Sequence, residues 1–186
     1  MAKKKFKLGF KVAYDAPVTL TFAILSILLF VINTFLMKGK LTALILAAPT
    51  MQGGELPFVV SNPLSYLRMF LYVFGAVDSS MLITNLIFIL LLGPAMEERY
   101  GSIVIGIMIA VSAIFAGVLN ACFCQKMLQG AISVVFMIIF LNAFLSFSKK
   151  KLPLSFIAVF VLFIIREVLE KNPNGMIGIV AGVAGG

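Results

Sequence analysis

Apolar residues run along this chain in long unbroken blocks, and the charged residues gather between the blocks. A helix rises 1.5 Å per residue, so about 20 mostly apolar residues cross a hydrocarbon core of roughly 30 Å. The stretch APVTLTFAILSILLFVINTFL, residues 16–36, meets that length with no charge in it. Blocks at 81–96, 102–123, 130–147 and 152–165 predict four more spanning helices, and GMIGIVAGVAGG at 175–186 a sixth. The sixth is short and reaches only about half-way across the core.

Residues 37–79 are too interrupted to span. Pro49, Gly53, Gly54, Glu55, Pro57 and Pro63 break them up, leaving the apolar patches LTALILAA and YLRMFLYVF. The second patch carries Arg68 among aromatic residues, which predicts segments lying in the interface. A loop of this length in a compact protein is more often functional than idle.

Composition agrees with the blocks. Of 186 residues, 62% are hydrophobic and 12% charged, with a mean hydropathy of +1.14. About a quarter of residues are charged in ordinary soluble domains. The expected class is therefore all-α, a polytopic membrane helix bundle. Residues 1–15 form a basic segment ahead of a membrane domain over 16–186. That segment resembles the start of a signal peptide, but the apolar block after it is long and no small-residue cleavage site follows, so an uncleaved first helix is expected.

The net charge of +8 does not point to nucleic acid. Lys3, Lys4, Lys5, Lys7 and Lys11 precede the first block, and Lys149, Lys150 and Lys151 separate two others. With the N-terminus cytoplasmic, nine of the fifteen Lys and Arg fall inside, in short segments, which satisfies the positive-inside rule. Membrane lipid is then the expected surrounding. No block carries a carboxylate or lysine near its middle, which disfavours a proton-coupled transporter.

The chain has no histidine, so the commonest general base and the commonest transition-metal ligand are both missing. Cys122 and Cys124 have no second pair to complete a metal site and read as buried small hydrophobes. No metal and no cofactor is expected. Asn85, Asn120 and Asn142 read as hydrogen-bonding residues within or near spans, Asn120 and Asn142 between helices. Glu97 and Arg99, in the tight turn after the second block, suit exposed backbone groups at helix ends. Gly178, Ala181, Gly182 and Gly185 make the last segment small enough for close helix packing, with the equally small Gly130 and Ala131 as partner surface.

The segment VFGAVDSSMLITNLIFILLLGPAMEERYGS, residues 73–102, resembles the rhomboid intramembrane serine proteases. Members typically show an asparagine in the second span, a Gly-Pro or Gly-Gly turn, and a Glu-x-Arg-x-Gly-Ser element. Here these are Asn85, then Gly93 and Pro94, then Glu97, Arg99, Gly101 and Ser102. The resemblance runs from about residue 16 to the end and implies six spans with a long membrane-associated first loop. It also implies a multi-pass protein of a bacterial plasma membrane.

In that family the nucleophile lies in a Gly-x-Ser-Gly element opening the fourth span, and the histidine base lies in the sixth. Alignment on GAISVVF puts Gly130 on the first glycine, Ile132 on the nucleophile and Ser133 on the second glycine. Gly178 takes the place of the base. The histidines that often neighbour the oxyanion site fall at Ala76 and Met81, so Asn85 alone remains of that group. Ser133, one residue late, is turned by about 100° along the helix, whereas productive geometry tolerates about 10–20°.

The resemblance thus implies a pseudoprotease that binds transmembrane helices of client proteins without cleaving them. Two alternatives stand beside it: an active intramembrane endopeptidase using Ser133 as a displaced nucleophile, and a decayed or engineered inactive remnant. The short sixth block also raises an expectation of truncation within that span.

Overall fold

The computed structural model describes residues 16–148, 157–158, 161–162, 164–165 and 173–186. The basic 1–15 segment, the Lys149–Lys151 loop and most of the expected 152–165 span lie outside the described residues. Helices dominate, and among the described residues no strand forms beyond two isolated β-bridges.

Helix α1, Pro17–Val31, starts on a proline at its first position, where a missing N–H costs nothing. Ala16 offers no capping side chain. Glu97 supplies the cap from the other side of the fold: its carboxylate accepts from Val18 N at 2.8 Å, Thr19 N at 2.9 Å and Thr19 Oγ1 at 2.7 Å. One π turn, Ile32–Leu36, prolongs α1 before the short α2, Lys40–Leu44.

Asn62 caps α3, Pro63–Leu71, by accepting from Leu64 N at 3.0 Å, and a 3-10 turn, Tyr72–Phe74, follows. Asp78 caps α4, Ser79–Tyr100, through Met81 N at 2.7 Å. Gly101, at φ 85, makes the break into α5, Ser102–Phe123. A β-carbon is strongly disfavoured at that backbone angle. Two further helices are α6, Ile132–Ser148, and α7, Pro173–Gly185.

Among the described residues three helices, Pro17–Leu36, Ser79–Tyr100 and Ser102–Phe123, are long and apolar enough to cross a membrane. Each buries only about a third of its apolar window inside the fold. Ile24, Leu91 and Ile103 are among many large side chains left exposed, an arrangement suited to lipid rather than water. The sequence blocks locate these helices well, although α4 outruns its 81–96 block by two residues at the start and four at the end.

Helix α6 is different. Every residue from Ile132 to Ile139 is buried, so no face of these two turns looks outward. It packs against α4, α5 and α7 and forms the centre of the core.

The first-loop patches differ from their interfacial reading. Leu44, Tyr66 and Leu67 are exposed, but Leu46, Ala47, Ala48, Tyr72, Val73 and Phe74 belong to the core. Irregular backbone is tolerated there because its polar groups are satisfied. Arg68 donates from Nε to Leu44 O at 2.8 Å and from Nη2 to Ala43 O at 3.0 Å, and Ala48 N donates to Leu128 O at 2.8 Å. Asn120 serves the same purpose rather than joining two helices: its amide donates to Pro49 O at 2.9 Å and Lys126 O at 3.3 Å.

Candidate functional site

The start of α6 is held from three directions. Gly130, at φ 97, donates its N–H to Tyr72 O at 3.0 Å, which ties the chain to the 3-10 turn. A β-carbon at Gly130 would collide with the Met81 ε-methyl and lie 3.5 Å from Asn85 Nδ2. Gly130 therefore meets α4, which corrects its expected place against the last helix. Met81 and Asn85 are thus gathered at the head of α6, with Asn85 buried. Ala76 is not part of that group; it packs with Ala23, Leu82 and Leu86 in a separate small cluster.

Ile132 and Gly178, distant in sequence, face each other across the α6–α7 contact. A β-carbon at Gly178 would run into Ile132 Cγ2 and stand 3.4 Å from Ile132 Cβ. The isoleucine γ-methyl thus occupies the space in which a side chain at 178 would begin. Further along, a β-carbon at Gly182 would lie 2.5 Å from Ser133 O and 2.6 Å from Phe136 Cβ. Gly178, Gly182 and Gly186 bring α7 onto α6, while Gly185 lies against Ser112 of α5. Ala181, fully buried, and Ala131 complete these close surfaces.

Ser133 is 1% exposed and points elsewhere. Its Oγ lies 3.1 Å from Tyr72 Oη, and Tyr72 Oη donates to Ala113 O at 3.2 Å. A phenol has one proton, so the arrangement that satisfies both bonds has Ser133 donating to Tyr72 and Tyr72 donating to the carbonyl. Burial pushes the Tyr72 phenol well above its ordinary range, only partly offset by the Ser133 bond, so it stays protonated. A protonated phenol cannot remove the serine proton. Tyr72 is the residue that sequence reading missed. Nothing in an aromatic-rich patch pairs residue 72 with residue 133.

The remaining motif residues lie elsewhere. Glu97 is twelve residues beyond Asn85 along α4, or about 18 Å by helical rise. Gly93 lets α4 approach Thr19 of α1, where a β-carbon would stand 2.5 Å from Thr19 Cγ2. Pro94 lies within α4, Glu97 also accepts from the Ser102 hydroxyl, and Arg99 is exposed. Gly93, Glu97 and Ser102 clamp the α1–α4–α5 end, away from the head of α6. Among the described residues no group of three His, Cys, Asp or Glu side chains converges. Cys122 is exposed and Cys124 buried, both as free thiols.

A family model of the rhomboid domain matches residues 63–185, well over half of the chain. The chain belongs to the rhomboid family. No curated protein matches it. The rhomboid match begins at the first residue of α3 and takes in the Tyr72 turn, α4, α5, α6 and α7. With the apolar exposure of α1, α4 and α5, it identifies an integral membrane protein.

Proposed function

We propose that this rhomboid-family protein is a pseudoprotease, which binds the transmembrane helices of client proteins without cleaving them. One observation carries the reading: Ile132 and Gly178, aligned with the family's nucleophile and base, are in contact as a branched alkyl group against a bare backbone. Neither residue can donate, accept or hold a proton through a side chain. Their adjacency supports the alignment, and their chemistry supports the loss of catalysis. Loss of members of a Ser–His unit typically costs about 10⁴–10⁶-fold in rate.

Ser133 as a displaced nucleophile finds little support. A serine hydroxyl is a weak nucleophile unless a base activates it. Here the hydroxyl is buried beside a protonated phenol, and the chain supplies no histidine. The reading retains six spans, a cytoplasmic basic N-terminus on the positive-inside argument, and lipid and client helices as partners. It assigns no cofactor, no metal and no nucleic acid.

The test is a reconstituted cleavage assay with a single-pass fluorogenic substrate, combined with a serine-reactive fluorophosphonate. The expected result is no product and no label above the Ser133→Ala background. Product formation that disappears in Ser133→Ala defeats the proposal.

A further inference from the structure

A second feature lies at the C-terminal end of α1, where Ala76 and Gln129 both line it. A cavity of about 550 Å³ is lined by Phe30, Asn33, Thr34, Lys38, Thr42, Ala76, Val77, Asp78 and Gln129, with Gly39 at its edge. The backbone that forms it is unusual. One π turn over Ile32–Leu36 leads into two successive left-handed residues, Lys38 at φ 49 and Gly39 at φ 84. Among the described residues Lys38 is the one non-glycine with positive φ. Such conformations cost on the order of 1–3 kcal/mol and collect at ligand sites.

The fold-back is held in place. Asn33, itself buried, donates from Nδ2 to Thr42 Oγ1 at 2.8 Å and accepts from Thr42 N at 3.3 Å. Asp78 uses one oxygen to cap α4, and the second is not needed for that bond. Opposite charges, Lys38 and Asp78, therefore border one cavity, with the hydroxyl of Thr34 and the amide of Gln129 beside them. The surroundings are apolar: Phe35 is 74% exposed, and Leu36 and Val77 are each 72% exposed. Large exposed apolar groups at the end of a spanning helix belong at the boundary of acyl chains and headgroups.

From this juxtaposition we infer that the cavity binds the headgroup of a zwitterionic phospholipid bearing a primary amine. Lys38 and Thr34 face the phosphate, and Asp78 and Gln129 take the ammonium. Phe30 and Val77 receive the first carbons of the chains. A primary ammonium carries three N–H donors for Asp78 and Gln129; a trimethylated amine has none and is disfavoured. An anionic headgroup without an amine leaves Asp78 unpaired. The inference does not depend on the client-binding reading.

Native mass spectrometry of the full chain in micelles, titrated with single lipids, tests it. Phosphatidylethanolamine is expected to bind at least about tenfold more tightly than phosphatidylcholine or phosphatidylglycerol, the scale of one charge-assisted contact. Asp78→Asn removes about that preference, whereas Lys38→Gln weakens binding of all three lipids alike; lipid-free thermal unfolding stays unchanged in Asp78→Asn because asparagine also caps helices. Equal binding of the three lipids, an Asp78→Asn variant that keeps the preference, or a Lys38→Gln variant that leaves all three affinities unchanged overturns the inference. Glycerophosphoethanolamine binding as tightly as the intact lipid overturns it in favour of a soluble zwitterion.

Discussion

Replacing Gly178 with alanine tests whether the Ile132 γ-methyl fills the space where a catalytic side chain would start. The added methyl meets Ile132 Cγ2 directly, while Ser133 N stays at a comfortable 3.6 Å. Alanine is better than glycine in a helix by about 1 kcal/mol, but overpacking a close contact costs about 1–3 kcal/mol. Gly178→Ala is therefore expected to be neutral to destabilising by about 2 kcal/mol. Ile132→Ala alone opens a cavity and costs about 2–5 kcal/mol. In the double variant the new methyl enters the vacated volume, and Gly178→Ala becomes stabilising by its helix propensity. The expected coupling is about 1–3 kcal/mol in favour of the pair. Reversible unfolding in mixed micelles, run on all four proteins, measures it. Additivity to within about 0.5 kcal/mol refutes the packing argument.

The Tyr72–Ser133 bond predicts a second cycle: Tyr72→Phe and Ser133→Ala each cost about 1–2 kcal/mol, and the double variant costs about 1 kcal/mol less than their sum, read by the same unfolding assay. Glu97→Gln weakens the cap on α1, with an expected loss of about 1–3 kcal/mol; a change below about 0.5 kcal/mol contradicts the clamp described for Glu97. Burial pushes the Cys124 thiol above its usual range, which lowers its thiolate fraction near neutral pH. Maleimide at pH 7 should therefore modify Cys122 well before Cys124, and Cys124 labelling should climb at a higher pH than that of a free thiol. Peptide mapping that finds equal rates at the two sites rules this out.

What the sequence reveals and what it hides follow from how far each signal reaches along the chain. Uninterrupted apolar blocks are local, so α1 with its π turn and α5 are legible almost to the residue, and α4 to within four residues at each end. Helix α6 reads like any other apolar block, yet its residues 132–139 are buried on every side; hydropathy does not separate burial in protein from burial in lipid. The first loop is hard to read for a related reason. Ala47 and Tyr72 look interfacial until Arg68 and Leu128 are seen to satisfy the backbone around them. At the site, Ile132 and Gly178 were singled out by motif spacing, which is local to each helix. Their contact, the Tyr72–Ser133 bond and the Glu97 cap on α1 join residues 46, 61 and 78 positions apart. No pattern within one helix encodes such pairings.

The most direct test of the pseudoprotease reading places a photo-reactive amino acid at Met81, half-buried at the head of α6, in the otherwise intact protein and reconstitutes it with a single-pass client helix. The account predicts crosslinked, full-length client with no cleavage product, in amounts that an excess of unlabelled client reduces. Cleaved client generated by the unmodified protein and lost in Ser133→Ala would contradict it.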